Sequence, residues 1–120
     1  MMESAKALYS FFSSFGIPAY EEHSVPDDAA LPYITYEPAE AGWDDASGIS
    51  ATVWYAGTSF DEIFGTVDRI KDKIGEGLRI PTESGCVWVD RGAPFAQVSA
   101  TDNDNVKAVY LLFDVRCLCN

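Results

Sequence analysis

An α+β fold, with two helices packed on a largely antiparallel β-sheet in a single domain over residues 1–120, is predicted by three features of the sequence. Apolar residues recur at the three-and-four spacing of one helical face in two separate stretches, Leu8, Phe11, Phe12 and Phe15 and then Ile63, Val67, Ile70 and Ile74. Between and after them lie runs dense in β-branched and aromatic residues, several with period-two alternation. The resulting order is helix, three strands, helix, then three or four strands, which places two helices on a sheet rather than alternating helices with parallel strands. A chain of this length buries roughly 65% of its unfolded surface, enough for one modest core.

The first helix is expected at about Met2 to Phe15, closed by Gly16-Ile-Pro18. Ile17 to Glu22 reads as a short strand followed by a turn at Pro26-Asp27-Asp28. Leu31 to Glu37 reads as a second strand, with Pro32 at its start or edge because proline cannot donate to a ladder. Pro38 to Gly48 is an acidic, glycine-containing connection around Trp43. From Ile49 a third strand alternates, with Ile49, Ala51, Val53 and Tyr55 on one face and Ser50, Thr52 and Trp54 on the other. Ser59-Phe-Asp-Glu62 has capping-box spacing and opens the second helix, which Gly75-Glu-Gly77 closes. Leu78 to Pro81, Cys86 to Asp90, Phe95 to Ala100 and Val106 to Cys119 then read as strands, the last apolar on both faces as a central strand would be.

Composition narrows the function. The chain is 48% hydrophobic and 13% aromatic with a formal net charge of −11, so it is globular and ill suited to hold nucleic acid or an anionic membrane through a basic surface. The acids are concentrated early, with Lys6 the only base before residue 60. The amino terminus lacks a secretory pattern, no run approaches the ~20 apolar residues that span a bilayer, and the three cysteines are an odd set, which together favour reduced thiols in a cytoplasmic compartment.

No pattern in the sequence carries catalytic or metal chemistry. His23 is the lone histidine, with no nucleophile-elbow sequence to serve. Cys117-x-Cys119, even with Cys86, lacks the second pair that a zinc site needs. In Thr101-Asp-Asn-Asp-Asn105 the positions that a calcium loop gives to glycine and glutamate hold Lys107 and Phe113, which leaves a hairpin turn. Gly75-Glu-Gly77 follows a helix, not a strand, and lacks the third glycine of a dinucleotide fingerprint. No catalytic, cofactor-binding or metal residue is therefore assigned. What remains is surface: three tryptophans and six tyrosines, amphipathic side chains enriched at interface centres. The 38–48 connection is the candidate contact, with Trp43 as its anchor and Glu40, Asp44 and Asp45 at its rim.

The helix carrying Leu8-Tyr-Ser-Phe-Phe12, the following Gly-Ile-Pro-Ala-Tyr20, the segment Leu31-Pro-Tyr-Ile-Thr-Tyr36 and the strand-plus-helix from Ile49 to Ile74 together resemble the tail terminator, or tail-completion, proteins of long-tailed bacteriophages, over essentially the whole chain. That resemblance implies a virion protein at the head-proximal neck region of the tail, assembled in the cytoplasm of the bacterial host. Its subunits would form a ring, usually of six, that ends growth of the tail tube and offers a surface to the head connector. The partners implied are copies of itself, the tail tube protein and a head–tail connector or neck protein, with no cofactor. DNA would pass without specific binding through a lumen whose candidate carboxylates are Asp27, Asp28, Asp44 and Asp45, since an acidic wall repels phosphate. A head-completion or neck protein of the same virion shares the layout. From another class, a small acidic ligand-binding domain or enzyme would instead show a concave pocket with convergent polar groups.

Overall fold

In a computed structural model, which describes residues 2–37, 47–83 and 85–119 and side chains over 5–37, 48–83 and 85–116, both predicted helices and every predicted strand region appear. Helix α1 spans Met2–Phe12 and tightens into a 3₁₀ turn at Ser13–Phe15, ending on Gly16 at φ 84°. Strands β1 (Ala19–Glu21), β2 (Tyr33–Tyr36) and β3 (Ser47–Ala56) follow, with Pro32 just ahead of β2. Helix α2 (Asp61–Ile74) then leads into β4 (Leu78–Thr82), β5 (Gly85–Ser99) and β6 (Val106–Cys119). The cap of α2 is one-sided: the Asp61 N–H donates to Ser59 Oγ at 3.1 Å, and the reciprocal Glu62 bond is not made among the described residues.

The six strands form one sheet in the order β1-β2-β3-β6-β5-β4. Here the expected largely antiparallel sheet is corrected: the sheet is mixed, because β1 runs parallel to β2 while the other pairings are antiparallel. The reason lies in residues 22–32. Instead of one tight hairpin, two successive turns, Ser24 N–H to the Glu21 carbonyl and Ala29 N–H to the Pro26 carbonyl, give the chain room to return and start β2 level with β1. A second correction concerns Cys86–Asp90 and Phe95–Ala100, which are one strand. The break expected at Gly92-Ala-Pro94 is a bulge, a register shift between Arg91 and Ala96, one of the few places where a sheet accepts proline.

Both helices pack on one face of this sheet. Phe113 on β6 is the hub, with the rings of Phe11, Phe12 and Phe95 at 6.1, 5.4 and 5.6 Å, all edge-on, and Phe12 also stacks on Tyr36 at 4.9 Å. The predicted stripe of α2 is buried, Ile63 and Ile70 completely, and β3 buries Ile49, Ala51, Val53 and Tyr55 as its alternation predicts. One polar chain crosses this layer. Tyr55 OH and Thr66 Oγ1 share a 2.6 Å hydrogen bond, and Arg69 Nη2 donates to the same Thr66 oxygen at 3.1 Å. Thr66→Val keeps the shape but strands the Tyr55 hydroxyl, so urea unfolding should show a loss of about 1–3 kcal/mol.

Candidate assembly surface

Glu40, Trp43, Asp44 and Asp45, the expected contact residues, lie outside the described residues. The connection that holds them ends earlier than expected, because β3 begins at Ser47 and already includes Gly48. Asp27 and Asp28 are exposed on the turn between β1 and β2 that follows Pro26. Of the four proposed lumen carboxylates, then, two are placed at the surface and the other two lie outside the described residues. His23 stands in solvent, its Nε2 3.4 Å from Glu22 Oε1. The Cys86 thiol is free and buried, and among the described residues no three His, Cys, Asp or Glu side chains gather at metal-binding distance.

What the structure does assemble is the sheet face opposite the helices. Pleating sends Thr35, Thr52 and Tyr110 to this side in one row, Tyr33 and Trp54 in the next, and Leu112, Asp114 and Arg116 further along β6. Most are half-buried, and Tyr110, Asp114 and Arg116 are exposed. The expectation that β6 is apolar on both faces is therefore corrected: Val109, Leu111, Phe113 and Val115 face the helices, while the alternate residues form an amphipathic surface without a helix over it. Local bonds stiffen it. Trp54 Nε1 donates to Thr35 Oγ1 at 2.9 Å across the β2–β3 pair, and buried Ser50 donates to Glu37 Oε2 at 3.0 Å. Trp88 pairs with Arg116, and next to them Asp90 stands directly opposite Asp114. Arg116 lies on the same face two residues beyond Asp114, so this end of the face carries two carboxylates and a guanidinium. The signal was present in the sequence as the alternation Tyr110, Leu112, Asp114, Arg116, obscured by the apolar run interleaved with it.

Further apolar surface lies on the helix side. Phe64 on α2 is 45% exposed and stacks on Phe60, whose ring also carries Lys107 Nζ at 5.4 Å, and Tyr9 on α1 is 54% exposed. A groove of about 710 Å³ runs between α1 and β4, lined by Lys6, Ser10, Thr82 and Glu83 with apolar neighbours. Among the described residues its charged groups are the Lys6 ammonium and the Glu83 carboxylate, with the Ser10 and Thr82 hydroxyls beside them. Glu21 on β1 accepts from Ser24 Oγ at 2.8 Å and from the His23 N–H at 3.1 Å, and these bonds hold its carboxyl below the usual carboxylate range.

No protein-family model matches the sequence, and no curated protein matches it. Among solved structures the chain is similar to one from the virion of a native gene transfer agent (GTA) particle, with a TM-score of 0.58 and 13% identity over 96% of this chain and 92% of that one. At that identity the likeness is one of fold, and it extends over nearly the full length of both chains.

Proposed function

We propose that this protein is a structural component of a phage-like virion, a single α+β domain over residues 1–120 that forms a ring at the head-proximal end of a tail, ends growth of the tail tube and joins the tail to the head connector. The observation that carries the reading is the near full-length likeness in fold to a virion chain of a gene transfer agent particle. The terminator role itself rests on the sequence resemblance. The surface described above supports an assembling subunit. An open sheet face with half-buried tryptophans, carrying Asp90, Asp114 and Arg116, is what a neighbour would cover. In this reading the ring contains six copies of the chain, its other partners are the tail tube protein and a neck or connector protein, and the virion is assembled in the host cytoplasm. The role needs no cofactor and no catalytic residue. With a net charge of −11, a ring lumen repels DNA phosphates, so DNA passes without being held.

The 38–48 connection is the proposed contact with the tube or a neighbouring ring, with Trp43 as anchor and Glu40, Asp44 and Asp45 beside it. Trp43→Ala should leave the melting temperature of the monomer unchanged and weaken joining by ~2 kcal/mol or more, since a truncated interface anchor costs that much. Infectious particles at the wild-type level from that variant would remove the loop from the contact. Electron microscopy of particles assembled without the protein tests the role: a terminator leaves tails of uncontrolled length. Tails of normal length on unjoined heads would instead mark a head-completion or neck protein.

A further inference from the structure

The register of the sheet places two open edges at the same level. Read across the strands, Ala19 lines up with Ile34, Val53, Val109 and Val98; Tyr20 with Thr35, Thr52, Tyr110 and Gln97; and Glu21 with Tyr36, Ala51, Leu111 and Ala96. At this level β1 is one margin of the sheet and the far half of β5 is the other. Strand β4 covers β5 only from Gly85 to Val89, so residues 96–99 have no strand on their outer side among the described residues. A strand turns alternate N–H and C=O groups outward, which leaves each margin with unpaired donors and acceptors.

The two margins fit each other. β5 runs antiparallel to β6, and β6 shares its direction with β2 and β1, so a second copy in the same orientation presents its β1 antiparallel to this β5. The β5 segment Ala96-Gln-Val-Ser99, which begins just past the Pro94 bulge, carries no charge and no proline of its own, whereas β4 carries Pro81 and the exposed Arg79 within its paired length. Val98 lies in the row that faces the helices, yet it is 57% exposed. Beside a neighbour's Ala19, which is buried, it would come under the helix layer of that neighbour. Charge agrees as well. Exposed Arg91 stands opposite Phe113, two residues along β6 from Leu111, or roughly 7 Å, on the side where β1 ends at Glu21, with Glu22 just beyond it.

We propose that β5 of one copy pairs through residues 96–99 with the β1 edge of the next, so that the sheet continues from subunit to subunit around the ring. This rests on the ring reading above and deepens it by naming the contact. The pairing is head-to-tail, with a different edge used on each side, which is the kind of contact that closes by rotation.

The test uses the full chain, half of it isotope-labelled, with photoreactive p-benzoylphenylalanine in place of Gln97. Irradiation at a concentration where the chain self-associates should give crosslinks between labelled and unlabelled copies at residues 19–22. In parallel, Val98→Lys should keep the wild-type melting temperature and weaken self-association at least about tenfold. Crosslinks from residue 97 to residues 95–99 of another copy would replace the contact with a two-fold β5–β5 pairing and overturn the proposal. A ring whose crosslinks map elsewhere, or one untouched by Val98→Lys, also overturns it and leaves the ring reading standing. A chain that stays monomeric at all concentrations overturns both.

Discussion

Ile70→Asp is expected to yield a chain that does not fold. Ile70 sits in the middle of the buried stripe of α2, has no exposed surface, and packs with Ile63, Val67 and Ile74 in the core shared with the sheet. Removing its apolar contacts alone costs about 2–5 kcal/mol, the range for emptying a buried aliphatic site. The new carboxyl adds a desolvation cost whether it stays charged or takes up a proton. The sum exceeds about 4 kcal/mol, against a total stability of roughly 5–15 kcal/mol for a domain. Circular dichroism should show no cooperative melting transition. Asp72→Asn, on the exposed face of the same helix, is the control and should move stability by no more than about 0.5 kcal/mol. A soluble Ile70→Asp protein with the wild-type transition would mean that this face of α2 does not pack on the sheet.

That both helices were legible in the sequence, and their buried faces with them, follows from local causes. The stripes Leu8, Phe11, Phe12, Phe15 and Ile63, Val67, Ile70, Ile74 are set by helical period alone and need no knowledge of the partner. The alternation in β3 was legible for the same reason. What was missed depends on contacts between distant segments. Parallel pairing of β1 with β2 is decided by how residues 22–32 return, and Pro26-Asp27-Asp28 is compatible with a hairpin as well as with the wider path. The continuity of β5 through Gly92 and Pro94 depends on β6, which holds both halves in one ladder across the register shift. The helix-free face was hidden because centrality was inferred from the apolar content of β6. A strand can be central in its sheet and still have only one face covered, which is the case here: β6 lies between β3 and β5, yet Tyr110, Asp114 and Arg116 are exposed. The opposition of Asp90 and Asp114 exists only through that register and has no signature in either segment alone. The candidate loop was read from length and composition, and Trp43 with its neighbouring carboxylates awaits the assembly experiment.

Gly77→Ala should be nearly as damaging, for a reason that the sequence hides behind an ordinary helix stop. Gly77 donates its N–H to the Ile74 carbonyl at 2.9 Å just after α2 and holds φ at 140°, a conformation that an L side chain rarely adopts. Forcing alanine into it costs on the order of 1–3 kcal/mol. The space is also taken, because a Cβ there would overlap the Trp88 ring, with Cε2 and Cη2 each 2.8 Å away. Trp88 cannot readily yield, since its backbone is laddered on both sides, to Arg79 of β4 and Arg116 of β6. Pushing the ring aside disrupts packing at the junction of α2, β4 and the open face, a further ~1–3 kcal/mol typical of overpacking. The two causes separate in a double-mutant cycle. In a Trp88→Ala background the overlap is gone, so the cost of Gly77→Ala should fall to that of the backbone alone. An undiminished cost would assign the whole effect to φ, and a cost near zero in the wild-type background would mean that neither the φ strain nor the Trp88 overlap is as described. Because Trp88 also belongs to the face proposed to meet a neighbour, any Gly77→Ala protein that still folds should assemble poorly, and the Trp88→Ala background should lower the cost of Gly77→Ala without restoring assembly.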